Sequence, residues 1–226
     1  MNIPGWGGTS LSQEIGPAVN LPVSVDNDAN AMAAGEAWLG AGKVWDNFIC
    51  LTFGTGVGGF LIKDKRPFRG RDGFAGGYGH HVIVYNGKPC TCGFKGCWEQ
   101  YASVPALMDL AVHASRRSKQ NFDSPEHIFK EARTGNKTAH SVINRYASYI
   151  AVGMTNLIHC LNPSAIIAGG AIMAQGDLLL DPVRRHVKKQ AMPVYLQDPV
   201  PIIAAFLGDN AGIIGAAKLA IDKHNT

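Results

Sequence analysis

Short apolar runs alternate with stretches of helical periodicity along most of this chain, and the alternation predicts an α/β layer structure. The predicted strands are Leu21–Val25, Phe48–Phe53, Val57–Ile62, Ala165–Ala168 and Pro201–Ala205. The predicted helices are Ala31–Leu39, Ala139–Leu161, Leu178–Gln190 and Ala211–Lys223. In the long helix apolar residues recur at three- and four-residue steps, which indicates one buried face, and Pro163 ends it.

Composition and charge are those of an ordinary globular protein of 226 residues with a formal net charge of +4. The basic segments 116–119 and 184–189 are dispersed and fit solvated helix faces, so we expect no nucleic-acid partner. The first five residues lack the pattern of an export signal, and no apolar stretch has the length of a transmembrane helix. We therefore expect a cytoplasmic protein without a membrane partner.

A cluster of metal-ligand residue types follows a glycine-rich connector. His80, Cys90, Cys92 and Cys97 fall within eighteen residues, and thiolate and imidazole are the ligands that zinc prefers. The alternative is that the cysteines are separate small buried residues. The spacing is not that of a zinc finger. The five cysteines are an odd number, which argues against a disulfide framework and for a reducing compartment.

The two remaining cysteines, Cys50 and Cys160, lie in apolar surroundings and are predicted to be core residues.

A carboxylate at a strand-to-helix junction, Asp28, is a candidate general base. Open α/β sheets bind their ligands beyond the carboxyl ends of the strands, where this junction is predicted to lie. The alternative for Asp28 is a helix N-cap, a role for which Asp26 and Asn27 are equally suited.

Two glycine-rich turns follow predicted strands. The segment Gly54-Thr55-Gly56-Val57-Gly58-Gly59 suits close approach of backbone N–H groups to a phosphate, or a plain hairpin turn. It is not a Walker loop, because no Gly-Lys-Ser/Thr follows. Gly169-Gly170 fits either close packing or access for a nucleotide base and ribose.

Taken in order, these segments resemble the ROK family of sugar kinases and related repressors. The motifs that carry the resemblance are Ile3-Pro4-Gly5-Trp6, Val25–Asn30, Gly54–Gly59, Ala75–His80, Cys90–Glu99 and Ala168–Gly170. The resemblance implies an actin-like, ribonuclease-H-like fold with two lobes around a cleft. Residues 1–40 would be a remnant of the N-terminal lobe with the inter-lobe segment, and residues 41–226 would be the larger C-terminal lobe.

The resemblance also implies roles for the candidate residues. Asp28 would deprotonate the sugar hydroxyl that attacks the γ-phosphate of ATP. Asn27, His80 and Glu99 would hold sugar hydroxyls, and a structural zinc ion in the loop 80–99 would fix the wall that carries two of them. His80 would serve both the zinc ion and the sugar side.

The glycine residues would form the nucleotide side. Gly54, Thr55, Gly56 and Gly58 would face the phosphates of ATP with its Mg²⁺, and Gly169 and Gly170 would face its adenosine.

Two departures from the family pattern lead us to expect impaired catalysis. The Asp-x-Gly-Gly-Thr phosphate loop is not found, although Gly7-Gly8-Thr9 matches three of its letters. The family pattern Gly-Glu-x-Gly-His has Gly77 in place of its glutamate, which removes a carboxylate from the sugar site.

The sequence thus predicts a kinase homologue for a hexose or N-acetylhexosamine, assembled as a homodimer through its helix-rich second half. The alternatives are a non-catalytic, sugar-sensing regulator and a zinc-stabilised interaction domain.

Overall fold

A computed structural model describes residues 8–118 and 120–224 of the chain. The segment Ile3–Trp6 of the ROK resemblance, and Gly7, lie outside these residues. The helices are α1 (Leu11–Val19), α2 (Asp28–Trp38), α3 (Glu99–Ala102), α4 (Val104–Ser118), α5 (Pro125–Arg133), α6 (Lys137–Leu161), α7 (Asp177–Gln190) and α8 (Ala211–His224). The strands are β1 (Phe48–Phe53), β2 (Val57–Lys63), β3 (Arg66–Pro67), β4 (Ile166–Gly169) and β5 (Ile202–Ala204).

The strands of the described chain form one mixed sheet in the order β3-β2-β1-β4-β5. β1 and β2 form an antiparallel hairpin in which Phe53 pairs with Val57. β1 runs parallel to β4, and β4 runs parallel to β5. The carboxyl ends of these three strands therefore lie at one edge of the sheet, which is where an α/β sheet places its ligands.

Helices cover both faces of the sheet, because the residues of β1 alternate between two apolar clusters. Ile49, Leu51 and Phe53 belong to the larger cluster, which α4, α5, α6 and α7 complete. Phe48 and Cys50 belong to a smaller cluster on the α2 side. This burial on both faces explains why β1 is a continuous apolar run.

Side-chain caps fix the starts of three helices. Asn27 caps α2 by accepting hydrogen bonds from the backbone N–H groups of Ala29 and Asn30. Ser124 caps α5, and Asn136 caps the long helix α6. Each cap satisfies N–H groups that have no partner inside their helix. No helix in the described ranges combines the length and the apolarity needed to cross a bilayer.

At the β5 edge of the sheet, Arg184 of α7 covers the outer side of the strand. Its Nε and Nη2 atoms donate hydrogen bonds to the carbonyl oxygen of Ile202 in β5, at 2.9 and 2.8 Å. Its Nη1 atom bonds Asp177 and Asp181, each at 2.8 Å.

Two predictions were wrong. The segment Leu21–Val25 is not a strand: Leu21 and Val25 are exposed, none of its residues is fully buried, and no strand lies beside it in the described part of the chain. A buried apolar run forms a strand only when a neighbouring strand accepts its hydrogen bonds. Cys160 is exposed, because it lies on the outer side of the last turn of α6; Cys50 is buried as predicted.

The other predicted strands and helices are present: β1 has the predicted ends, and the ends of the others differ by at most three residues. The short strand β3 was not predicted. α1, α3, α4 and α5 were not predicted.

A close contact inside the larger cluster gives a test of the packing. The Trp98 side chain is fully buried and donates a 2.9 Å hydrogen bond from Nε1 to the carbonyl of Tyr149 on α6. Its ring lies over Gly153 of α6, so that a Cβ at this position would collide with it. We expect Gly153→Ala to destabilise the fold by about 1–3 kcal/mol through overpacking, measured by denaturant unfolding.

Gly212→Ala is the matched control for this substitution. Gly212 also lies in a helix, but outside its own helix turn no atom of the described part of the chain lies within 4 Å of the position its Cβ would take. Alanine there should be neutral or should stabilise the protein by up to about 1 kcal/mol. Equal effects of the two substitutions would show that the packing around Trp98 is looser than described.

Candidate functional site

Helix α2 brings its first turn to the edge of the sheet where β1 ends. A Cβ on Gly58 of β2 would lie 3.5 Å from the Cβ of Ala29 and 2.8 Å from Oγ1 of Thr52. One turn further along α2, Met32 packs on Gly169 at the end of β4. A Cβ on Gly169 would collide with the terminal methyl group of Met32. Gly58 and Gly169 therefore admit the helix closely, which favours the packing interpretation of these two glycines.

The residues before and at the start of α2 have separate roles. Asn27 is the N-cap, so the capping alternative for Asp28 is wrong. Asp28 is the first residue of the helix, and its Oδ1 accepts a 2.8 Å hydrogen bond from the N–H of Ala29. Within the described residues Oδ2 of Asp28 has no hydrogen-bond partner, and the side chain is exposed. Asp28 can thus accept a further hydrogen bond from a ligand.

Asp26 is held by two partners that sequence reasoning missed. Its Oδ2 lies 2.6 Å from Nη2 of Arg69, and its Oδ1 accepts a hydrogen bond from the amide of Asn30. Partial burial opposes the charged form, but the hydrogen bonds from Arg69 and Asn30 outweigh it and lower the pKa of Asp26. The four-residue spacing between Asp26 and Asn30 could have predicted their contact. The contact with Arg69 left no sign in the sequence, because Arg69 is 43 residues away.

Glu99 fastens the glycine turn between β1 and β2. Its Oε2 accepts a 3.0 Å hydrogen bond from the N–H of Val57. The same oxygen lies where a Cβ of residue 56 would stand, so Gly56 is required by this contact. In contrast, apart from its chain neighbours, no described residue has an atom within 4 Å of a Cβ built on Gly54, and Thr55 is exposed. The structure thus brings Glu99 to the predicted phosphate turn and leaves the tip of the turn accessible.

A polar cavity of about 750 Å³ lies next to the 3₁₀ turn that follows Gly169-Gly170 in the chain. Gly170 has a φ of +94°, and a Cβ there would collide with the carbonyl of Phe53, so only glycine fits. The cavity lies between α5 and the 3₁₀ turn Met173–Gln175 that follows the glycines, and Nη2 of Arg133 spans it to Oε1 of Gln175 at 2.7 Å. Its lining consists of Asp123, Glu126, His127, Lys130, Arg133, Ala174 and Gln175.

The sequence prediction missed this cavity because α5 was not predicted. The Ser124-Pro125 start of that helix was the available signal, since serine is a preferred N-cap and proline a preferred first residue.

The predicted metal ligands converge. The ligand atoms of His80, Cys90, Cys92 and Cys97 all lie within 4.8 Å of one another. Sγ of Cys90 is 3.7 Å from Nδ1 of His80, and the sulfur atoms of Cys92 and Cys97 are 3.5 Å apart. The cluster can hold a metal ion, and its three sulfur atoms and one imidazole nitrogen match the donor set of a closed tetrahedral site.

The thiols of this cluster differ in their ease of ionisation. Burial raises the pKa of Cys90, but hydrogen bonds from Cys92 and His80 outweigh it and lower the pKa to about 6. Burial and the neighbouring thiols raise the pKa of Cys97 to about 12. Three thiols in contact cannot all ionise without a cation among them, which is the property that a metal site exploits.

Trp98 links the metal cluster to the glycine turn. It stands between Cys97 and Glu99 in the chain, and its ring packs edge-on against Phe53 at the end of β1, with 5.5 Å between ring centroids. Its backbone N–H donates to the carbonyl of His81 at 2.9 Å. The metal loop and the carboxylate of Glu99 therefore share one buried anchor.

The Gly77 position, where the sequence departs from the ROK pattern, is exposed and spacious. Its φ is −67°, and among the residues that the structure describes, its chain neighbours aside, none has an atom within 4 Å of a Cβ built there. A side chain would fit without strain.

The family model described as "ROK family" matches residues 1–223. The chain belongs to the ROK family. It is 38% identical over 228 residues to a glucokinase of Streptomyces coelicolor, an alignment that covers 95% of this chain and 72% of that protein. It is also 33% identical over 219 residues to the xylose repressor of Bacillus subtilis, covering 96% of this chain and 55% of the repressor.

Solved ROK structures share the fold. The ROK glucokinase of Streptomyces griseus, crystallised with glucose and AMPPNP, superposes with a TM-score of 0.87 at 37% identity, over 94% of this chain and 72% of that one. A ROK transcriptional regulator homologous to the E. coli MLC protein superposes with a TM-score of 0.81 at 31% identity, over 92% of this chain and 54% of the regulator. The chain thus has the actin-like α/β fold of ROK sugar kinases, as predicted, and its relatives include both kinases and regulators.

The ion pair beside the candidate base gives a pH-dependent prediction. Because the folded state lowers the pKa of Asp26 from its usual 3.8, the pair stabilises the protein above that pH and the contribution is lost as pH falls through the folded pKa. Arg69→Ala should raise the pKa of Asp26 toward 3.8, as followed by NMR titration of its carboxyl carbon. The loss of stability at pH 7 should be below about 1 kcal/mol, since the arginine is half exposed, and should vanish in acid.

Arg71→Ala is the control for Arg69→Ala, since Arg71 pairs with its neighbour Asp72 at 2.8 Å on the same loop. It should leave the pKa of Asp26 unchanged. A loss of stability with Arg69→Ala that persists at pH 2 would contradict the ion-pair account.

Proposed function

We propose that this chain acts as a ROK sugar kinase, transferring the γ-phosphoryl group of ATP to a hydroxyl of a hexose or N-acetylhexosamine. One observation carries the proposal: the first turn of α2, the glycine turn and Glu99 lie together at the carboxyl edge of the sheet. Ala29 contacts Gly58, and Glu99 contacts Gly56, two residues away. Phosphoryl transfer depends on positioning the reacting groups and stabilising their charge. The carboxylate of Asp28, the carboxylate of Glu99 that holds the turn, and the accessible tip of the glycine turn are suited to these tasks.

Asp28 is the proposed general base. Its free Oδ2 takes the proton of the sugar hydroxyl as the hydroxyl oxygen forms a bond to the γ-phosphorus. The bond from this phosphorus to the bridging oxygen breaks, and ADP leaves. The helix backbone N–H that bonds Oδ1 holds the carboxylate in one orientation.

The sugar is proposed to lie between α2 and the wall formed by the metal loop. Asn27 uses its side-chain oxygen for the cap, which leaves its amide nitrogen for a sugar hydroxyl. Glu99 uses Oε2 for the turn, which leaves Oε1. Nδ1 of His80 points to Cys90, and Nε2 is proposed to face the sugar side.

The nucleotide is proposed to lie across the ends of β1 and β4. The accessible tip at Gly54 and Thr55 would receive the phosphates, and Gly56 and Gly58 would keep the turn close to Glu99 and Ala29. Adenosine would lie against Gly169 and Gly170 and enter the cavity lined by Arg133 and Gln175. Mg²⁺ bound with ATP would neutralise charge on the phosphates.

Zinc is the proposed occupant of the metal cluster, held by His80, Cys90, Cys92 and Cys97. The soft donor set supports zinc over magnesium or calcium, which prefer oxygen ligands. The ion would be structural, because all four tetrahedral positions are taken by protein ligands.

Reduced catalytic efficiency is part of the proposal, because Gly77 leaves the sugar without a carboxylate at that position. We also propose that residues 1–40 are a remnant of the N-terminal lobe with the inter-lobe segment, and that residues 41–226 are the C-terminal lobe with the metal loop 80–99. In support, α1 has no buried residue among the described residues, and α2, at the end of this portion, packs on the sheet of the lobe. A homodimer through the helix-rich second half completes the proposal; exposed apolar side chains there include Val194 and Ile213.

A sugar-sensing regulator is the second candidate. The repressors among the relatives and the glycine at position 77 favour it. The free carboxylate of Asp28 favours the kinase instead. A regulator would bind sugar without producing ADP.

Zinc removal tests the metal proposal. Protein purified without chelator should contain one zinc ion per chain, measured by elemental analysis. Chelation should release the ion and expose the loop 80–99 to proteolysis, because metal binding contributes to folding. Light scattering should still report a dimer after chelation, since the proposed contact lies elsewhere. Zinc content near zero, with all three thiols freely reactive, would refute the site.

Asp28→Asn tests the kinase proposal in a coupled ADP-release assay across glucose, fructose, allose, mannose and N-acetylmannosamine. The amide keeps the shape of the carboxylate but cannot take the proton, so turnover should fall by about a hundredfold to ten-thousandfold. The matched control is Asp46→Asn, an exposed aspartate whose pair with Lys65 lies away from this site. Equal turnover in Asp28→Asn and the wild type would refute the role of Asp28.

A further inference from the structure

Glu36, near the carboxyl end of α2, is a fully buried carboxylate. No cationic side chain pairs with it in the described ranges 8–118 and 120–224. Burying an unpaired carboxylate is costly unless hydrogen bonds replace the water it loses. The side chain therefore needs a specific set of donors.

Backbone N–H groups of two separate loops supply these donors. Oε1 of Glu36 accepts hydrogen bonds from Phe206 at 3.0 Å and from Leu207 at 2.8 Å. Oε2 accepts a 2.7 Å hydrogen bond from Ala41, in the turn that follows α2. Hydrogen bonds to an ionised group are among the stronger ones in proteins. Glu36 thus ties α2 to a segment 170 residues further along the chain.

The segment that it holds is the loop 205–210, which follows β5. Because β5 is parallel to β4 and β1, this loop lies at the same edge of the sheet as the two glycine turns. It borders the Gly169 turn directly, since a Cβ on Gly169 would lie 3.1 Å from the Cβ of Ala205. Asp209 and Asn210 are exposed at its end.

One face of α2 makes all three contacts along this edge. Ala29 meets Gly58, Met32 meets Gly169, and Glu36 meets the loop 205–210. Steps of three and four residues keep these side chains on one side of a helix. The helix that begins at Asp28 is therefore aligned against three successive loops, and Glu36 is the polar fastening at its far end.

We propose that Glu36 is a positioning residue that fixes the loop 205–210 against α2 and so sets the nucleotide side of the site relative to Asp28. This proposal rests on the proposed kinase function. We expect the nucleotide side to be affected because the loop 205–210 borders Gly169. The carboxylate of Glu99, on the sugar side, lies near the end of β1, and β1 is two strands, or about 10 Å, from the strand β5 that precedes the loop.

A glutamine cannot replace Glu36 in this role. If the single oxygen of the glutamine pointed toward Phe206 and Leu207, its NH₂ group would face the N–H of Ala41. If the amide were turned around, the NH₂ group would face the N–H groups of Phe206 and Leu207. Either orientation sets donor against donor and leaves a buried N–H group unsatisfied.

The test compares the full-length Glu36→Gln protein with the wild type and with Glu14→Gln, an exposed glutamate of α1. Amide hydrogen exchange of residues 205–210 and 40–42 is measured first. We expect exchange at Phe206 and Leu207 to become at least about tenfold faster in Glu36→Gln only, because hydrogen bonds that protect these amides are lost. Calorimetry with AMPPNP should show an affinity loss of about tenfold, the equivalent of one hydrogen bond, with sugar affinity unchanged.

Glu36→Asp provides the second variant, for use also if Glu36→Gln does not fold. It keeps the charge but retracts both oxygens by one methylene, so exchange and AMPPNP affinity should change in the same direction by less. A merely structural role would lower stability and weaken sugar and AMPPNP binding alike.

Unchanged exchange at Phe206 and Leu207 in the folded variants would overturn the proposal. Faster exchange with unaltered AMPPNP affinity, or with an equal loss of sugar affinity, would overturn it as well. Absence of AMPPNP binding by the wild-type chain would instead refute the proposed function, and with it the nucleotide part of this proposal. The two failures are distinguishable. Failure of the proposed function appears in the wild-type protein, whereas failure of the role proposed for Glu36 appears only when the variants are compared with it.

Discussion

The close approach of α2 to α8 is the constraint on which the candidate site depends. A Cβ on Gly35 of α2 would collide with the carbonyl of Ala211, and one on Gly215 of α8 would collide with the carbonyl of Ala31. The two helices therefore touch through their backbones, where no side chain can yield. With the sheet edge on its other side, α2 has one available position. This packing fixes where α2 begins, and the N–H of Ala29 then orients the carboxylate of Asp28.

The metal cluster depends on a different part of the core. Trp98 is buried between β1 and α6, and it joins Cys97 to Glu99 in the chain. A metal ion in the cluster would order the loop 80–99, which has few apolar contacts of its own. Because Trp98 of this loop packs against Phe53 beside the glycine turn, ordering the loop would also hold the turn in place. The two walls of the proposed cleft are thus supported independently, one by helix packing and the other by a buried aromatic residue.

Sequence reasoning succeeded where a local pattern contained the whole physical cause. β1 and β4 are apolar because they are buried, and the metal ligands are close in the chain as well as in space. It failed for Leu21–Val25, because an apolar run does not reveal whether a neighbouring strand exists. The contacts of Asp26 with Arg69 and of Glu36 with Phe206 join residues 43 and 170 positions apart, and neither leaves a local signal.

The arginine that covers the outer strand has a consequence for the molecule in concentrated solution. Free strand edges are templates on which other chains add, and this is a route to aggregation. Ile202 offers an outward carbonyl that an incoming strand would need, and the guanidinium of Arg184 already occupies it with two hydrogen bonds. Two aspartates hold that guanidinium in place. An invading strand would have to displace a charge from its partners before forming its first hydrogen bond at this carbonyl, so the same side chain that completes the fold also guards against its misassembly.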